Sequence, residues 1–246
     1  MRMLFYLYSN CINTMNCKQG EKEVLKLKKI ITLLLTFCIM LTSISAFSAC
    51  AKERLYSYNN KTKTLTINIK GKMKYNCENA PWKDVEQPEH IVLKKGVTSI
   101  SSWGFGCKIG EESAPLNYNC LIKSVKIPNT VKTIGADAFW HCTSIKKISI
   151  PNSVKSIASD AFGECKNLSK VKLSRKLKTI KSFVFSDCPK LKKITIPKSV
   201  KKIGKKAFGY KSYSKKIKCF TIKGYKGTAA EKYAKKNGFK FVALNK

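Results

Sequence analysis

The sequence predicts a repeat solenoid, mainly β, wound as a right-handed coil of 23-residue units. Three observations carry this reading. First, apolar residues return in fixed phase: Val125, Ile148, Val171 and Ile194 are 23 residues apart, as are Ile127, Ile150, Leu173 and Ile196. The series beginning at Ile122, Val131, Ile134 and Phe139 keep the same period through four units. Self-similarity at one period is the signature of stacked units that bury a continuous core. Second, apolar and polar residues alternate in Val125-Lys126-Ile127 and its equivalents, the pattern of a half-buried strand. Third, Pro128, Pro151 and Pro197 follow that strand and end it, because proline cannot donate to a ladder.

The elements follow in chain order. Residues 1–49 read as a signal peptide: KLKK at 26–29 precedes an apolar run at 30–44, and small residues follow. A retained transmembrane helix needs about 20 predominantly apolar residues, and this run is shorter. The long stretch ahead of Leu25 fits a start site assigned too far upstream. Cleavage has two outcomes. Phe47-Ser48-Ala49-Cys50 is similar to a lipobox with Cys50 as the lipidated residue, whereas Ala49-Cys50-Ala51 suits release of a soluble protein.

Residues 50–90 are expected to form an N-terminal cap, with a hairpin around Gly71 and with Trp82 covering the first coil. The repeats are expected over 91–222. Ile91, Leu93, Val97, Ile100 and Phe105 form a degenerate first unit, offset by 34 from the next, which implies an insertion at about 106–120. Five units and a partial sixth are present. In each, the positions from Val131 to Ile134 allow a second short extended piece. Asp160-Ala161-Phe162-Gly163 closes the coil as a tight loop or a single helical turn, with Phe139, Phe162, Phe185 and Phe208 as plugs between layers. Ser174 replaces the proline of one unit, and Phe183-Val184-Phe185 stands where others have Asp-Ala-Phe. Phe220 and Ile222 read as a last strand. Residues 223–246 form a C-terminal cap: Thr228 and Glu231 have capping-box spacing, Asn237-Gly238 stops a short helix, and Ala230, Tyr233 and Ala234 are its apolar face.

The chain carries 49 basic against 14 acidic residues, a net charge of +35. Such an excess implies anionic partners or surfaces. Only Arg2, Arg54 and Arg175 are arginines, so the bidentate guanine contacts of sequence-specific nucleic-acid readers lack their usual donor. Lys132, Lys155, Lys178 and Lys201 occupy one position in four successive coils and form a candidate polyanion-binding column. Lys123, Lys146 and Lys192 make a second, interrupted row. The competing reading is a solvated lysine-rich face.

Cys142, Cys165 and Cys188 form a column of small buried hydrophobes, part of the repeat core. Metal ligands would cluster at shorter spacing, and stacked side chains point alike rather than toward one another. Cys107 and Cys120 bracket the insertion and are a candidate disulfide in an oxidising environment. His90 and His141 are the two histidines. His141 adjoins Cys142 without an evident orienting acid, and no catalytic motif or cofactor-binding loop is recognisable, so neither an enzyme nor a cofactor is expected.

The unit LxxIxIPxSVxxIxxxAFxxC, over roughly 91–208, resembles the BspA-like leucine-rich repeats of bacterial surface proteins. The TLTINIKGKM…APW lead-in and the GTAAEKYAKKNGFKF ending resemble the flanks of that family. The resemblance implies a curved solenoid displayed outside the cell, as a surface lipoprotein or a secreted protein, acting in adhesion or binding. The expected partner is an extracellular protein or an anionic glycan or wall polymer. The membrane is met through the signal peptide or a lipid anchor, and oligomeric state is left open. The alternative is a structural envelope protein held by charge on anionic polymers.

Overall fold

Short strands alternate with turns along the whole described chain, because no segment before residue 229 keeps helical periodicity long enough to close a helix. The computed structural model describes residues 55–106, 121–212 and 214–245, all within the unit Glu53–Lys246. The expected signal peptide at 1–49, Cys50, positions 107–120 of the expected insertion, and with them Cys107 and Cys120, lie outside the described residues.

The chain opens with β1 (Tyr56–Asn59), β2 (Thr64–Ile67) and β3 (Gly71–Lys72). Then come β4 (His90–Leu93), β5 (Val97–Ile100), β6 (Ser124–Lys126) and β7 (Thr133–Ile134). The regular units give β8 (Lys147–Ser149), β9 (Ser156–Ile157), β10 (Lys170–Lys172), β11 (Thr179–Ile180), β12 (Lys193–Thr195) and β13 (Lys202–Ile203). After them come β14 (Tyr210–Lys211), β15 (Lys215–Lys216), β16 (Thr221–Gly224), the helix α1 (Ala229–Asn237) and β17 (Lys240–Ala243).

Two faces result. One is built from β1-β2-β4-β6, then β8-β10, then β12-β16-β17; the other is a six-stranded sheet in the order β13-β11-β9-β7-β5-β3. Within the two faces only β1 and β2 pair antiparallel; β14 and β15 form a separate antiparallel pair. The parallel register joins equivalent residues of consecutive units: Val171 faces Ile148, Ile180 faces Ile157, and Ile203 faces Ile180. Because inward residues such as Ile148 and Ile150 alternate with outward Lys147 and Ser149, each unit buries one apolar edge against its neighbours.

A third ladder runs along the turns. The Phe139 N–H donates to the Ala161 carbonyl at 2.9 Å, Phe162 to Val184 at 2.9 Å and Phe185 to Ala207 at 2.7 Å. This holds the phenylalanine rings one above another. Phe105, Phe139, Phe162 and Phe185 stack with centroids 5.2–5.4 Å apart and planes within 8–11°. The turns do not become helix because two residues per coil sit in the left-handed region. Asp137, Asp160, Phe183 and Lys206 hold one such position (φ 53, 53, 58 and 49), and His141, Glu164 and Asp187 hold the other (φ 60, 56 and 52). Aspartate tolerates this conformation better than phenylalanine or lysine.

Where Ser174 replaces proline, the turn survives. The Leu177 N–H still reaches the Ser174 carbonyl at 3.1 Å, as Val154 reaches Pro151 at 3.0 Å. The buried Ser174 hydroxyl accepts from the Lys176 N–H at 3.1 Å.

Three expectations are corrected. There is no hairpin around Gly71. The antiparallel hairpin is one strand earlier, β1 with β2. At Gly71 (φ 94) the chain instead turns from the first face to the second, where β3 pairs with β5. In this segment β2 pairs with β4 and Trp82 stacks on Phe105 at 6.3 Å.

The strand containing Ile222 is not the last, since β17 pairs in parallel beyond it, and Phe220 precedes the strand as a buried residue against Phe208. The capping box expected from Thr228 and Glu231 does not form. Thr228 makes no side-chain cap and donates its hydroxyl back to the Tyr225 carbonyl at 2.6 Å. Glu231 reaches past it to accept the Gly227 N–H at 2.7 Å, which lowers its pKa. Gly238 (φ 65) ends α1 in the left-handed conformation.

Candidate functional site

Lys132, Lys155, Lys178 and Lys201 lie just ahead of β7, β9, β11 and β13, and all four are exposed. Their backbones are joined rung to rung: Lys155 N–H donates to the Lys132 carbonyl at 2.8 Å, Lys178 to Lys155 at 2.8 Å, and Lys201 to Lys178 at 2.9 Å. Adjacent rungs of a sheet lie about 4.8 Å apart. Ammonium groups at that spacing repel by somewhat under ~1 kcal/mol per pair in water. Among the described residues, none of the ion pairs involves these lysines. In the interrupted row, Lys123 is paired, its Nζ donating to Glu89 Oε2 at 2.6 Å and lowering that carboxyl's pKa.

The carboxylates are segregated from both faces. Between residues 121 and 226 the chain has four, Asp137, Asp160, Glu164 and Asp187, and all lie on the turns that follow the second face. Crowding there has electrostatic consequences. Burial, followed by the neighbouring charges of Asp137 and Glu164, pushes Asp160 up to about 6. Burial also opposes ionisation of Asp187, but Lys166 Nζ and the Ser212 N–H offset it and the pKa is lowered.

The sequence showed no acid that orients His141, yet the fold supplies one from the next coil: His141 Nδ1 lies 3.4 Å from Glu164 Oε2. The signal was a residue 23 positions further on, legible only once stacking is known. Even so, His141 and Cys142 form no dyad, because the Cys142 thiol is buried and turned inward to the Phe105 carbonyl at 3.8 Å. Cys165 and Cys188 repeat that contact, donating to the Phe139 and Phe162 carbonyls at 3.4 and 3.3 Å. Burial raises both thiol pKa values well above the ordinary range, which suppresses thiolate chemistry. His90 faces Ser124 at 2.7 Å on the first face. No group of residues that could hold a metal ion occurs among the described residues, and none of their helices is long and apolar enough to cross a membrane.

Comparison with known proteins matches part of the sequence to a repeat family. The family model described as the BspA type leucine rich repeat region matches residues 113–232, in six copies. Among solved structures, the chain is similar to the leucine-rich repeat protein TpLRR of T. pallidum: identity 22%, coverage 68% of this chain and 67% of that one, TM-score 0.47. It is similar also to the pneumococcal vaccine antigen PcpA, with 18% identity, 62% and 47% coverage and a TM-score of 0.42. For a leucine-rich repeat protein of Bacteroides ovatus the values are 20%, 70% and 48%, and 0.40. The chain thus spans about half the length of the latter two. No curated protein matches.

Proposed function

The repeat region of this chain belongs to the BspA-type leucine-rich repeat family, and from that premise we propose that the protein is an exported binding or adhesion module for extracellular macromolecules. The matching family is a repeat region, and no enzyme family is indicated. In this reading residues 1–49 direct export and the coil winds right-handed in 23-residue units. The β1–β2 hairpin and α1 close its two ends, so the core is not exposed there.

The observation that carries the reading is the column Lys132, Lys155, Lys178 and Lys201, held exposed on a hydrogen-bonded ladder with the carboxylates of those units kept on the turns. Each exposed charge contact is worth only ~0–1 kcal/mol, so recognition there requires a ligand long enough to meet several rungs. The lysines spread over the other exposed positions favour the second reading, an envelope protein held by net charge on wall polymers with no specific partner.

Both readings are tested by titrating the mature protein with matrix proteins, mucins and wall polymers at two salt concentrations. The Debye length falls from ~10 Å at 0.1 M to ~3 Å at 1 M, so charge-led binding weakens with salt. Changing the four column lysines to glutamine is expected to weaken polymer binding more than changing four scattered lysines. Equal losses favour the envelope reading.

A further inference from the structure

A shallow groove of about 370 Å³ crosses β6, β8 and β10 on the outer side of the first face. It continues through Val171 and Lys172 into a larger depression of about 850 Å³ that ends at Tyr225 and Leu244. Lys147, Lys170 and Lys172 line the first part, and Lys172, Arg175 and Lys198 the second, with no carboxylate in the lining of either. Lys170 lies directly opposite Lys147 in the parallel register. Like charges so placed destabilise a sheet, and here no acid offsets them. A basic depression with low-dielectric walls also focuses field more strongly than the exposed Lys132 column.

The outward positions alternate in a way the sequence period conceals. Lys126, Ser149, Lys172 and Thr195 follow one another at 23-residue intervals, with Ser149 beside Lys172 and Lys223 beside Thr195 in the pairing. In this one row a lysine therefore recurs at every second rung, roughly 9.6 Å, with a hydroxyl between, and Ser149, Lys172 and Thr195 of the row line the groove. That spacing is about the length of a disaccharide. Sulfate groups would meet the ammonium groups, and sugar hydroxyls would meet Ser149 and Thr195. At the far end the half-buried Tyr225 ring, beside Pro197 and Leu244, offers an apolar surface to the face of a pyranose.

We propose that this groove binds a linear sulfated polysaccharide lying across the strands, along the stack. The proposal rests on the reading of the protein as an extracellular binding module. It names a site distinct from the Lys132 column and the chemistry of its ligand.

The experiment titrates the mature protein with a size-defined heparin oligosaccharide and, in parallel, with inorganic polyphosphate of matched charge. The triple variant Lys147→Gln/Lys170→Gln/Lys172→Gln is expected to lose about tenfold or more in heparin affinity. The charge-matched control Lys61→Gln/Lys83→Gln/Lys236→Gln is expected to lose only a small fraction of that. Tyr225→Leu, which changes no charge, should weaken heparin severalfold and leave polyphosphate unaffected.

Equal losses in the two triple variants reduce the site to net charge and overturn the proposal. So does polyphosphate binding as tightly as heparin and as dependent on Tyr225. If wild-type protein takes no heparin but saturably binds a matrix protein, the groove proposal falls and the module reading stands. If it binds neither, both fall. Thermal unfolding of each variant checks the fold. Should the triple variant unfold, Lys172→Gln and Tyr225→Leu carry the same comparison.

Discussion

Replacing Phe162 by alanine removes the middle ring of the spine. The side chain is 0% exposed and lies between Phe139 at 5.2 Å and Phe185 at 5.4 Å, with planes within 10° and 8° of its own. A buried phenylalanine removes roughly 150–250 Å² from water, worth about 4–6 kcal/mol at ~25 cal/mol per Å². Alanine retains part of that area, which brings the loss into the ~3–5 kcal/mol seen for such truncations.

The upper half of that range is expected, because the cavity cannot easily collapse. The rings above and below are pinned through their own backbones, Phe139 N–H to Ala161 and Phe185 N–H to Ala207. Against a total stability of ~5–15 kcal/mol the loss is large. Denaturant unfolding of the wild type and variant measures it. Hydrogen exchange measures its reach, since coils contact only their neighbours: the Phe139 and Phe185 amides should lose protection while those of β16 and β17 keep theirs. Unchanged stability, or loss of protection spread evenly over the chain, would refute the layered spine.

Asp160 is expected to make stability fall as pH rises. Its folded-state pKa of about 6 lies above the ordinary 3.8, so the fold holds this proton more tightly than the unfolded chain. The full benefit is present below about 4 and is lost as pH rises through about 6. Asp160→Asn should raise neutral-pH stability by ~1 kcal/mol, the shift being discounted for partial exposure, and should flatten the melting temperature between pH 4 and 7. A steeper profile would contradict this. Gly106→Ala would place a methyl 2.0 Å from the Asp137 carbonyl oxygen; backbone cannot step aside, so a loss of ~1–3 kcal/mol is expected in denaturant unfolding. Cys50→Ser should move the protein from membranes to the soluble fraction if Cys50 carries lipid; wild-type protein already wholly soluble, with its mature N-terminus beyond Cys50, indicates release instead.

Much of the fold was legible because its regular part is local and repeated. Alternation in Val125-Lys126-Ile127 dictates which side faces in, and the 23-residue return of Phe139, Phe162 and Phe185 places each ring above the last. The Lys132 column follows from the same period. The apolar face of α1 was legible too, since Ala230, Tyr233 and Ala234 are its buried residues.

Where spacing departs from the period, only the tertiary structure decides. Leu65 pairs with Ile91 across 26 residues, Ile194 with Ile222 across 28, and Ile222 with Phe241 across 19. No fixed period finds these partners. They are chosen because a sheet edge presents unpaired N–H and C=O groups, and a nearby strand that satisfies them is stable whatever its distance in sequence. The same holds for side chains that meet only through stacking. Glu164 reaches His141 and Lys147 faces Lys170 because the fold lays one unit on the next. The sequence by itself thus determined what is buried in each unit, while the groove, the segregated carboxylates and the pairing at both ends were decided by hydrogen bonding between units.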